Sequence, residues 1–198
     1  MIKLLLKAKH WQLFTLGFGI PMIIQFVVMA RMFMNIIGQR HPTPSLSFML
    51  DYFIVNFVII LLFTSIILAW NWSVVIGLQS KVPMGIGNKL KRFKAFFFIP
   101  IVYTLFLFVF IYVSIMTFAG GGKPSPVFFL SFILIIPLHL FAIFCNFHTV
   151  YFVAKTFKTV ELQREVSFSD FVGEFFLLWF YPIGVWILQP KINKMIEE

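Results

Sequence analysis

The stretch Pro124–Ala154, PSPVFFLSFILIIPLHLFAIFCNFHTVYFVA, contains no Asp, Glu, Lys or Arg. It outruns the roughly 20 residues that an α-helix, rising about 1.5 Å per residue, needs to cross a hydrocarbon layer about 30 Å thick. Tyr52–Ser80 and Ala95–Gly122 are equally free of these four residue types, and Trp11–Ala30 is a fourth apolar run. Backbone groups in lipid must be hydrogen-bonded internally. Continuous apolar runs without the alternation of a barrel strand satisfy that requirement only as helices.

Composition agrees. Of the 198 residues, 61% are apolar and 12% charged, against about 45–50% and about 25% in a soluble domain. The expected fold is an all-α integral membrane protein: a bundle of four transmembrane helices plus a short fifth hydrophobic segment. The spans fall at about 11–30, 52–72 with an extension toward Leu78, 96–119 and 127–151. Neither a fixed-period repeat nor a soluble domain interrupts them, so residues 1–198 read as a single polytopic membrane domain. The linkers GQRHPTPS (Gly38–Ser45) and GGGKPSP (Gly120–Pro126) read as tight turns between neighbouring helices.

Retained cytoplasmic loops carry an excess of Lys and Arg. Lys3, Lys7 and Lys9 precede the first span. Lys81, Lys89, Lys91, Arg92 and Lys94 follow the second, and Lys155, Lys158 and Arg164 follow the fourth. Arg31, Arg40 and Lys123 lie on the opposite side. The N-terminus is therefore expected in the cytoplasm. Its basic start and apolar run lack an A-x-A-like cleavage site, so they read as an uncleaved signal anchor rather than a secretory signal. The single cysteine, Cys145, can form no intramolecular disulfide.

The apolar run Phe175–Leu188 is shorter than a span, with Pro182 and Gly184 near its middle. Two readings are open for the segment at about 171–188. A re-entrant or interfacial piece leaves Lys191 and Lys194 in the cytoplasm. A fifth span requires one helix, capped by Ser169, from Asp170 to Leu188. AKTFKTVELQ (Ala154–Gln163) and FLLWFYPIGVWILQPKIN (from Phe176) resemble the C-terminal part of a group of small, uncharacterised bacterial multi-pass membrane proteins. The resemblance covers about a fifth of the chain. It implies a bacterial membrane origin and no particular chemistry; the location expected for the chain is the bacterial inner membrane.

Polar residues inside spans are costly and therefore informative. They are Gln25, Asn56, His139, Cys145, Asn146 and His148. Gln25 and Asn56 are expected to hydrogen-bond across the interface of the first two helices. His139 and Asn146, seven apart, share one helical face; Cys145 and His148 share another. Cys-x-x-His is metal-ligand spacing, but two ligands do not make a site, and only His10 could add a third. No metal or other cofactor is expected. Pro21, Pro100, Pro137 and Pro182 each remove a helix hydrogen bond and can bend a span.

The loop Ser80–Lys94 has Gly85 and Gly87 but lacks a nucleotide loop's Gly-Lys-Ser/Thr ending. Its Lys89, Lys91, Arg92 and Lys94 suit anionic lipid headgroups at up to about 1 kcal/mol each. These cations follow the loop pattern, so the net charge of +9 does not call for nucleic acid. Lys158, Glu161 and Arg164 are placed to pair along one face of a helical extension of the fourth span. No Asp or Glu lies within the spans, and no H-E-x-x-H occurs, so no catalytic constellation is found. The expected role is a non-enzymatic subunit or assembly partner in a larger membrane complex, alongside other subunits or copies of itself. The alternative is a small oligomeric transporter or channel lined by His139 and Asn146.

Overall fold

The computed structural model describes residues 2–38, 46–86, 90–119, 121 and 126–197. They form α1 (Ile2–Lys7), α2 (His10–Phe14), a π turn (Thr15–Gly19), α3 (Ile20–Gly38), α4 (Leu46–Leu78), a 3-10 turn (Gln79–Lys81), α5 (Leu90–Ala119), α6 (Pro126–Leu162), α7 (Phe168–Trp179) and α8 (Tyr181–Glu197). No strand occurs among the described residues. Four stretches, His10–Gly38, Phe48–Lys81, Leu90–Phe118 and Phe128–Leu162, are long and apolar enough to cross a membrane. The protein is thus an all-α membrane protein with the four expected spans. Most of the expected turns at 38–45 and 120–126 lie outside the described residues.

The chain divides into two compact units, one made of 1–86 and 150–198, the other of 87–149. The first unit is organised around its N-terminal break. α1 packs along the end of α4, where Gly77 leaves a notch for the Leu6 side chain. Beyond the break, the first span starts as α2 and slips into the π turn, where the Ile20 N–H reaches back five residues to the Thr15 carbonyl. Pro21 explains the slip. A proline ring clashes with the carbonyl four residues earlier, and widening the helix relieves that clash. The core of this unit gathers Leu13, Trp70, Val74, Leu78, Phe157, Phe171, Leu188 and Ile192, all at most 2% exposed.

The fourth span's helix ends at Leu162 because Gln163 takes a left-handed conformation, φ 50°, which closes a helix as glycine often does. Arg164 therefore lies beyond the helix and cannot continue the expected charged face. Lys158 pairs with Glu161 as expected (2.6 Å), whereas Arg164 turns to Asp170 with two bonds of 2.8 and 3.3 Å. The helix cap is also displaced from the expected Ser169. Asp170 reaches back to the Ser167 amide (2.8 Å) and hydroxyl (2.9 Å), so the helix begins at Phe168.

The single helix from Asp170 to Leu188 that a fifth span would need does not form. It breaks at Phe180 (φ −90°, ψ 63°), whose carbonyl accepts the N–H groups of Ile183 and Gly184. α7 and α8 then fold against each other. Pro182 accordingly bends nothing: it stands in the first turn of α8, where a missing N–H is harmless. Pro190 is the proline within α8. Gly184 permits the hairpin, because a Cβ there would collide with the backbone carbonyl of Leu177.

In the second unit, α5 meets the first part of α6 through stacked and edge-on rings. Phe110 contacts Phe128 and Phe132 (5.8 and 5.7 Å between centroids), and Phe118 contacts Phe128 (5.3 Å). Pro100 and Pro137 sit inside these two helices.

Two glycines of the C-terminal hairpin give opposite expectations. Gly184→Ala meets backbone and should destabilise by about 2 kcal/mol or more. Gly173→Ala meets nothing within 4 Å and should gain roughly 0.5–1 kcal/mol from helix propensity. Thermal unfolding of both variants in detergent, followed by tryptophan fluorescence, tests the pair.

Candidate functional site

The most heavily bonded polar group in the described structure is the side chain of Gln189, fully buried in α8. Its Oε1 accepts from the Trp70 indole at 2.7 Å. Its Nε2 lies 2.9 Å from the carbonyls of Leu6 and Ala8 and 3.3 Å from that of Leu5. The Asn193 side-chain amide adjoins it at 2.7 Å. The reason lies in α1: a helix that stops at Lys7 leaves carbonyls at its end short of internal donors, and the two amide hydrogens of Gln189 reach those of Leu6 and Ala8 from the other end of the sequence.

Eight residues earlier, Tyr181 does the same for the first span. Its hydroxyl donates to the Leu13 carbonyl at 2.9 Å, beside the π turn, and its ring meets Trp70 edge-on at 5.6 Å. Gly17 makes room for it, since a Cβ there would come within 2.6 Å of the hydroxyl oxygen. Trp186 completes the seam by packing on His10 (4.5 Å) and Phe14 (5.6 Å). The Tyr-Pro-Ile-Gly-x-Trp-x-x-Gln run is therefore a set of anchors for the N-terminal helices.

An ion cluster holds α6, α7 and α8 together. Lys158 bonds Glu174 at 2.8 Å as well as Glu161, and Lys191 bonds Glu161 at 3.0 Å. The Lys158 and Glu174 side chains are only 17% and 11% exposed, so loss of either partner leaves a nearly buried charge behind.

The intramembrane candidates are placed differently from one another. Asn56 donates to the Tyr52 carbonyl within its own helix (2.8 Å) rather than across an interface, because one turn back is its nearest carbonyl. Gln25 is half-buried in α3. In the second unit, the His139 Nδ1 lies 3.1 Å from the Tyr103 hydroxyl on α5, a partner that spacing alone does not reveal. Asn146 is exposed on the same face as His139. His148 stacks on Phe96, 4.3 Å between centroids, and Cys145 is buried, its carbonyl accepting from Thr149 (2.9 Å). Among the described residues no three His, Cys, Asp or Glu side chains come together as a metal would need.

The expected headgroup contacts Lys91, Arg92 and Lys94 are exposed in the first turns of α5; Lys89 lies outside the described residues. Cations at a helix N-terminus oppose the helix dipole. Their placement is therefore not explained by the helix itself.

Two variants probe the anchors. Gln189→Leu leaves the buried Trp70 indole without its acceptor and takes the Gln189 donor away from the Leu6 and Ala8 carbonyls, and should cost about 3 kcal/mol, measurable as a lower denaturation midpoint. Arg164 and the Ser167 donors hold the Asp170 carboxyl well below the usual carboxylate range, at about 2. A depressed carboxyl stabilises above its unfolded pKa. The cap at Ser167 should hold at pH 4 and above and be lost as pH falls from 4 toward 2, read as accelerated hydrogen exchange at the start of α7 in detergent micelles. Compared with family models, curated proteins and solved structures, the chain matches none of them.

Proposed function

We propose that this chain is a non-enzymatic subunit of a larger assembly in the bacterial inner membrane, working through association of its helices with other membrane helices. The observation that carries this reading is the exposed polar pair on α6. Asn146 and His139 are exposed on the stretch of α6 that precedes its charged end; Tyr103 engages only Nδ1 of His139, and polar groups facing hydrocarbon are costly unless another helix covers them. The apolar surface is ample: in the most hydrophobic window of α5 and of α6, only 11% of residues are buried within the chain.

The proposed orientation places the N-terminus in the cytoplasm. It is supported by the contacts of α1 with both the end of α4 and α8, which gather Lys3, Lys7, Lys81, Lys191 and Lys194 at one end of the first unit. Lys91, Arg92 and Lys94 would meet anionic headgroups, which answers the unfavourable dipole at their helix start. The α7–α8 hairpin, with Phe176, Trp179, Phe180 and Trp186 exposed, would lie in the headgroup zone that aromatic residues prefer.

Purification of the native protein in mild detergent is expected to bring down a second polypeptide in constant stoichiometry. Recovery of this chain alone would overturn the assembly reading. A liposome flux abolished by His139→Ala would instead favour transport.

A further inference from the structure

The exposed residues Phe129, Phe132, Ile136, His139, Ile143 and Asn146 follow one another on α6 at alternating intervals of three and four. At about 100° per residue they form one stripe about 100° wide, the width of a helix-packing face. The 3-4 alternation is that of a seam in which side chains of one helix enter the gaps of another. All six are exposed, the stripe lies within a single compact unit, and only its flank, at Phe132 and His139, also touches α5. Two of its positions are polar, one heptad apart.

We infer that this stripe pairs with the same stripe of a second copy of the chain. The inference rests on the reading of the chain as a membrane subunit and names the occupant of one of its faces. Membrane insertion gives every copy the same orientation, so two copies related by an axis normal to the bilayer bring their α6 helices together in parallel. Each residue then meets its own equivalent across the axis.

Asn146 suits that position because an amide carries both donor and acceptor groups and so complements itself. Among the described residues it has no hydrogen-bond partner within its own chain. His139 engages Tyr103 through Nδ1, which leaves Nε2 for the opposing imidazole. A foreign helix would need two matching polar groups at the same seven-residue interval, whereas a second copy supplies them automatically. Lipid offers none. One buried Asn in an apolar seam also fixes its register.

Disulfide mapping tests this in native membranes. With Cys145→Ala as background, Ile136→Cys, Ile143→Cys and Asn146→Cys are each oxidised with copper phenanthroline; Leu134→Cys, exposed on the opposite side of α6, is the comparison. The expected product from the three seam positions is a species of twice 23.1 kDa, with little from Leu134. Equal yields at all four positions, or none at any, would overturn the pairing. Cross-links from the seam to a different polypeptide would overturn the second copy as occupant and leave the subunit reading standing. Conversely, doubled-mass products from a chain that purifies without a foreign partner would keep the pairing and remove the larger assembly. In detergent, Asn146→Leu should raise the dimer dissociation constant roughly 3- to 20-fold and Asn146→Gln much less, the range expected of interhelical hydrogen bonds. An unchanged constant for Asn146→Leu would overturn the assignment of Asn146 to the interface.

Discussion

A helix that ends away from water leaves carbonyls that something else must satisfy, and in the first unit that demand arises twice. α1 stops at Lys7, and the π turn slips the hydrogen-bond ladder of the first span by one residue. Both defects are answered from α8, by Gln189 and by Tyr181. The position of α8 follows from these bonds. Its return along the N-terminal helices in turn requires the reversal at Phe180 and the missing side chain at Gly184. Apolar burial of Trp70, Leu13 and Leu188 supplies bulk stabilisation, but burial is non-directional. The hydrogen bonds choose which residues meet.

Two groups of cations stand out among the described residues. Lys158 and Lys191 are engaged by Glu161 and Glu174, and Arg164 by Asp170. These pairs stitch the end of α6 to the hairpin. Lys3, Lys7, Lys9, Lys91, Arg92 and Lys94 are exposed and form no ion pair among the described residues. A net charge of +9 thus combines internal fastening with a surface suited to an anionic leaflet.

The four spans are legible in the sequence because length and absence of charge are properties of a continuous stretch, and no distant residue alters them. The continuation of α6 past Tyr151 is legible for a similar reason, since i and i+3 charges imply a helix. The reversal at Phe180 is not: an apolar run of that length suits a bent pair of helices as well as a straight one, and the difference is decided by bonds to residues far away in sequence. Trp70 and Gln189 are 119 positions apart, Leu6 and Gln189 183. For the candidate residues, the common face of His139 and Asn146 follows from their spacing. The Tyr103 partner does not, and neither does the preference of Asn56 for its own helix. Arg164 was displaced from its expected face by one left-handed residue, Gln163, a conformation that its side chain does not advertise.

The separation of Leu6 from Gln189 also sets an order of events during synthesis. The first helix emerges from the ribosome with carbonyls that find their donors only when a glutamine translated 183 residues later arrives. At a translation rate of about 5–20 residues per second, that is a wait of about ten to forty seconds in which water, lipid headgroups or a chaperone must stand in. A nascent chain stalled anywhere before α8 keeps this end open.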